Sequence, residues 1–190
     1  MKWSTLNFGK HQGKTLPQVM FNDPDWFFHG WANGYFKGRL REEAEEIYRK
    51  SCVIRVPRDG EENVFIEYFV DRGTGRFVTL HVITGDMESY RPMTRNMILK
   101  VIDMTVPRQI MKYDKRGYKN FLSAMKAILF GEPGHKMTKG RCEDFFSNDE
   151  NFALPEQEGA VKSEKPEVKL AADITTEEAW ACVARWAESL

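Results

Sequence analysis

Apolar residues along this chain change their period several times, and each change marks an element. Trp3, Leu6 and Phe8 lead, strand-like, into a bend. Leu16, Val19 and Met20 then keep helical spacing for one or two turns, with Pro17 tolerated in the first. Asn22-Asp23-Pro24 ends that helix, and Asp23 or Asp25 is placed to cap a short second one bearing Trp26, Phe27 and Trp31 before Asn33-Gly34 stops it. From Arg39 to Lys50, Leu40, Ala44, Ile47 and Tyr48 share one helical face. The glutamates come early and the cations late, as the helix dipole favours. The carboxylates read as a solvated face with Glu45–Arg49 and Glu46–Lys50 pairs.

After Ser51 the period drops to two. Cys52 to Val56, Asn63 to Val70 and Arg76 to Ile83 are rich in Val, Ile, Phe, Tyr and Thr, with turn signals at Asp59-Gly60 and Asp71 to Gly75. Such short connections predict an antiparallel three-strand meander. His81 within the third run reads as a hydrogen-bonded sheet histidine. Helical spacing returns with Met97, Ile98, Val101, Ile102 and Met104, is interrupted at Pro107, and resumes from about Gly117 to Phe130. From Gly131 to Ala172 no period persists, and Gly, Pro, Ser, Glu and Lys dominate its later part, which reads as a linker. A capping box, Thr175 with Glu178, announces a terminal amphipathic helix whose Trp180, Val183 and Trp186 offer a contact surface for a possible protein partner. The expectation is an α+β protein: a small helical module over 1–50, an α+β segment with the meander and packed helices over 51–130, an acidic linker over 131–174, and the C-terminal helix over 175–190.

Composition adds bounds. At 190 residues with 42% hydrophobic and 13% aromatic content, the chain can bury a proper core. No apolar run approaches the ~20 residues of a membrane span and the N-terminus has no apolar leader-like segment, so no membrane association and a cytoplasmic location are expected. Cys52, Cys142 and Cys182 are odd in number and far apart, which suits reduced thiols better than a disulfide framework. His135 and Cys142 lack a second ligand pair for zinc, and no cofactor is implied. Net charge is zero but unevenly spread: residues 1–130 carry 21 basic and 15 acidic side chains, and the remaining 60 carry 7 and 13. A mildly basic body thus precedes an acidic tail.

The chemistry concentrates in two places. Phe8-Gly9-Lys10-His11-Gln12-Gly13-Lys14-Thr15 holds two glycines, each followed by lysine, around a three-residue bend. Glycine there permits positive φ and a tight reversal that turns backbone N–H groups to one side, with Lys10, His11 and Lys14 as added donors for an anion. It is not a phosphate loop of the NTPase kind, which needs four residues between its first Gly and the Gly-Lys pair where this chain has three. Arg108, Lys112, Lys115, Arg116 and Lys119 form the strongest basic cluster, with Tyr113 and Tyr118 interleaved and Asp114 alone in opposition. If one helix ran through it, 108, 112, 115 and 119 would share a face, although Gly117 is placed to break it. That composition suits a surface that follows phosphates and stacks bases, and equally an ordinary lysine-covered helix.

The stretch Phe8 to Leu16, then Asp23-Pro24-Asp25-Trp26-Phe27 and a basic-to-acidic helix from Phe36 to Tyr48, resembles the small module appended to the C-terminus of exodeoxyribonuclease X-type proteins. The resemblance covers about residues 5–50. The family usually has a second aromatic three residues after the first, where this chain has His29 and brings Trp31 two later. The resemblance implies a setting in nucleic-acid metabolism, and a module that is not itself catalytic. The Asp-x-Glu and downstream carboxylates of those exonucleases have no counterpart here, since Asp71-Arg72-Gly73-Thr74-Gly75 reads as a hairpin turn. The expected function is an accessory, non-catalytic nucleic-acid-binding protein of phage or bacterial DNA metabolism. The alternative is a protein–protein adaptor, such as a phage factor acting on a host protein, that uses aromatic surface and the C-terminal helix.

Overall fold

The N-terminal bend closes on itself. Leu6 N–H donates to the Lys14 carbonyl and Gly13 N–H to the Leu6 carbonyl, both at 2.8 Å, and Thr5 bridges Thr15. Gly9 and Gly13 sit at φ 69° and 84°, the left-handed region that a Cβ would oppose. These features belong to a computed structural model that describes residues 3–57, 63–90 and 96–154. Expectations that fall on 155–190, the later linker and the terminal helix with Trp180, Val183 and Trp186, lie outside the described residues.

Helix α1 (Leu16–Asn22) starts at Thr15, whose N–H donates to Gln18 Oε1, and buries Leu16, Val19, Met20 and Phe21. Asp23 separates it from α2 (Pro24–Ala32) and caps the latter, its Oδ1 accepting from Trp26 N–H at 3.3 Å. Helix α3 (Arg39–Ser51) buries Ala44 and Ile47. Its polar side is not wholly solvated as expected. Glu43 is buried, accepting from the Ser4 N–H and hydroxyl and from Arg39 Nε. Lys50 is buried too, its Nζ 2.7 Å from each of Glu46, Asp149 and the Phe146 carbonyl. Charges leave water here because every one is matched on arrival.

The strands are β1 (Ile54–Arg55), β2 (Val64–Val70), β3 (Phe77–Thr84), β4 (Met97–Leu99) and β5 (Val101–Ile102), with a short helix α4 (Met87–Tyr90) between β3 and β4. The β2–β3 hairpin forms as expected, its turn held by Asp71 Oδ1, which accepts from Thr74 N–H at 2.7 Å and Thr74 Oγ1 at 2.6 Å. The third strand differs from the expectation. Sheet order is β3-β2-β4, all antiparallel, and β1 pairs instead with β5. Two expectations are thereby corrected: the run from Cys52 leaves the meander, and Met97 to Met104 supplies two strands where a helix was expected. The free edge of β2 offers unpaired backbone groups, and Ile98, Val101 and Ile102 are β-branched, so ladder pairing overrides a helical period.

Helices α5 (Val106–Tyr113) and α6 (Lys115–Phe130) meet at Asp114, whose backbone is extended. The break is therefore not at Gly117. That glycine lies inside α6 at a close approach, where an added Cβ would come 2.5 Å from Asp114 Oδ2 and 3.0 Å from Phe77 Cβ. Helix α7 (Lys139–Ser147) corrects the linker expectation for 131–154. Phe21 of α1 packs against Phe145, Phe146 and Phe130 with ring centroids 5.1, 5.4 and 5.7 Å apart, and Cys142, Phe146 and Phe152 are buried. The chain up to Leu154 forms one compact unit. A few large rings suffice to anchor a segment whose average composition is that of a linker.

Candidate nucleic-acid interface

The Gly-Lys bend is anchored by one carboxylate. Asp23 Oδ2 lies 2.6 Å from Lys10 Nζ and 2.8 Å from His11 Nε2, while Asp23 Oδ1 accepts from Trp26 N–H and, at 3.5 Å, from the Tyr118 hydroxyl. Burial pushes the Asp23 carboxyl up, but the bonds from Lys10 and His11 outweigh it and hold it below the usual range. His11 is buried, its ring edge-on to Trp26 at 4.9 Å, and its Nδ1 has no partner among the described residues. It acts as a strut of the bend, not as a free donor. Lys10 is well exposed but shares its charge with Asp23.

The expected cradle of backbone donors does not form over 12–14. The N–H groups of Gln12, Gly13 and Lys14 donate to the carbonyls of Gly9, Leu6 and His11. What remains for an anion is Lys14, exposed and without a carboxylate partner among the described residues, and the partly neutralised Lys10.

Tyr118 belongs to α6, so its contact with Asp23 brings the bend against the basic cluster. Helix α2 packs on α5, and Arg108 Nη1 reaches the Phe28 carbonyl at 3.5 Å. Lys112, Lys115, Arg116 and Lys119 are all exposed around the α5–α6 corner, and none has a carboxylate partner among the described residues. The single straight face expected for 108, 112, 115 and 119 is not built, because the backbone turns at Asp114. That residue, the one acid in the sequence from Arg108 to Lys119, spends its carboxylate on Arg116 and Gly117 N–H at 3.1 and 2.9 Å. The cap also fills the α6 N-terminus, leaving no anion site on its backbone.

Rings flank these cations. Tyr113 is 54% exposed between Lys112 and Lys115, while Tyr118 is buried and unavailable for stacking. Burial, and then the Asp23 charge, push the Tyr118 hydroxyl upward, so it stays a donor. On the adjoining α2–α3 side, Trp31 stacks on Tyr48 with centroids 5.5 Å apart and planes at 25°. Tyr35 and Tyr48 are both exposed.

Sequence reasoning read Asp23 as a helix cap and missed its hold on Lys10, His11 and Tyr118. The signal was present: an acid placed just after a lysine- and histidine-bearing bend. Among the described residues no group of three His, Cys, Asp or Glu side chains converges as a metal site, and no helix is long and apolar enough to cross a membrane. Comparison with protein-family models, curated proteins and solved structures finds no match for this chain.

Proposed function

We propose that this is an accessory, non-catalytic nucleic-acid-binding protein that follows phosphates with the α5–α6 corner and the neighbouring bend. The observation that carries the reading is the corner itself. Lys112, Lys115, Arg116 and Lys119 crowd one turn of the fold without any carboxylate partner among the described residues, beside an exposed Tyr113. Unpaired like charges held together repel, and a polyanion relieves that repulsion while releasing its own counterions. Lys14 and Arg108 extend the surface, Lys10 contributes in part, and His11 shapes the bend from within. The likeness of residues 5–50 to the exodeoxyribonuclease X-type module supports a place in phage or bacterial DNA metabolism. Binding of this kind reads charge and ring stacking and is indifferent to sequence.

A salt titration of binding to single- and double-stranded oligonucleotides tests it. Charge reversal at Lys112, Lys115 and Lys119 together should flatten the plot of log affinity against log salt by about 2 to 3 in slope. Equal affinity and slope in wild type and the folded triple variant would sink the proposal. The second reading, a protein adaptor, draws on the Trp31–Tyr48 stack and exposed Tyr35. It expects no salt-dependent oligonucleotide binding at all.

A further inference from the structure

On the sheet face away from α6 lies a polar cluster unrelated to the basic corner. Ile66 and Tyr68 of β2 point inward, Tyr68 meeting Phe121 of α6 at 6.1 Å, so alternation sends Glu67 and Phe69 to the other face. Glu67 is nonetheless only 2% exposed. Its Oε2 accepts from the Tyr90 hydroxyl at 2.8 Å and from His81 Nδ1 at 3.3 Å, and its Oε1 from Asn96 Nδ2 at 2.7 Å. Asn96 in turn accepts from Val70 N–H at 3.3 Å. Among the described residues, Tyr90, Asn96 and His81 converge on this one carboxylate, and as an acceptor it sets a ring proton on His81 Nδ1.

That bond orients the imidazole. His81 stacks on Phe69 with centroids 5.2 Å apart at 27°, keeps half its side chain exposed, and its Nε2 has no partner among the described residues. A cavity of about 350 Å³ opens here, lined by Phe69, Val70, Arg72, His81, Tyr90 and Asn96 together with Glu67 and Asp71. Its size is near the lower end for small-ligand pockets, enough for a small molecule and not for a polymer. Arg72 is exposed and has no carboxylate partner among the described residues, since Asp71 spends its Oδ1 on Thr74.

We propose that this cavity binds a small phosphate monoester, with His81 Nε2 and the Arg72 guanidinium holding the phosphoryl oxygens and Phe69 receiving the organic body. Held by Glu67 at Nδ1, the imidazole turns Nε2 outward toward a phosphoryl oxygen, and the arginine fork supplies the paired donors that phosphoryl oxygens accept best. Glu67 is a positioning residue: its bonds to Tyr90 and Asn96 keep the carboxylate, and so the ring, in place. The site is independent of the proposed nucleic-acid surface, because the sheet separates it from α6.

The test follows the His81 imidazole signals by NMR in the full chain during titration with phenyl phosphate, inorganic phosphate and benzoate, with affinities read by calorimetry. Phenyl phosphate should shift His81 saturably with a dissociation constant below about 1 mM, inorganic phosphate more weakly for want of a body, and benzoate at least about tenfold more weakly than phenyl phosphate. His81→Gln and Arg72→Ala change exposed side chains, so both should fold, and each should weaken phenyl phosphate by about tenfold or more. No saturable His81 shift, equal binding of benzoate, or an unchanged affinity in either variant overturns the proposal.

Discussion

Replacing Asp23 by Asn probes fold and function at the same atom. The carboxylate holds Lys10 at 2.6 Å, buried His11 at 2.8 Å and the first turn of α2. Asparagine still caps α2, so that contribution survives. The Lys10 pair is largely solvent-screened and adds little to stability. The His11 bond is the costly loss. Asp23 Oδ2 sits at His11 Nε2, and His11 Nδ1 has no partner among the described residues; an asparagine amide donating to Nε2 would put the ring proton on Nδ1, a buried atom with no acceptor among the described residues. A stranded buried donor costs about 1–3 kcal/mol. For a unit of this size, that corresponds to a melting temperature lower by roughly 3–10 °C. Binding should move the other way. Removing the negative charge frees Lys10 for a phosphate, steepening the salt slope by up to about 1 and raising affinity roughly three- to tenfold at low salt. Calorimetric melting and oligonucleotide titrations read the two effects from one variant. A folded Asp23→Asn protein with unchanged affinity and slope would remove the bend from the binding surface. An unchanged melting temperature would refute the account of His11.

Asp103 gives a pH signature: burial raises its carboxyl from 3.8 to about 6, against the opposing bond from Thr105 N–H. Between those values Asp103 holds more protons in the folded than in the unfolded state, so its contribution to stability should fall by up to about 3 kcal/mol as pH rises from about 4 to above 6. Urea melts should show that this fall disappears in Asp103→Asn, and an identical pH dependence in both proteins would contradict the assignment. Phe146 is fully buried among Phe21, Phe145 and Phe152, so Phe146→Ala should cost about 3–5 kcal/mol by chemical denaturation. A loss below about 1 kcal/mol would return α7 to the status of a loosely attached tail.

Much of the candidate site was legible residue by residue and illegible as an arrangement. The positive φ of Gly9 and Gly13 follows from their place around a short bend, and the β2–β3 hairpin from alternation on either side of Asp71. Both are consequences of chain geometry within a few residues, which any local reading of the sequence captures. The basic composition of 108–119 was equally plain, but its shape was not. The break falls at Asp114, which caps α6, and Gly117 is held inside the helix where Asp114 and Phe77 of β3 leave no room for a Cβ; the approach of Phe77 is absent from the local pattern.

By itself, then, the sequence determined which segments bend, which alternate and where cations gather. Only the tertiary structure decided that β4 and not β1 completes the sheet, that α7 docks on α1, and that Asp23 ties the bend to Tyr118. The contacts responsible span great lengths of chain, 95 residues from Asp23 to Tyr118 and 96 from Lys50 to the Phe146 carbonyl. Periodicity records that a face is apolar or that a charge needs a partner. It does not record which distant face or partner arrives, because that choice is made by the packing of the whole unit at once.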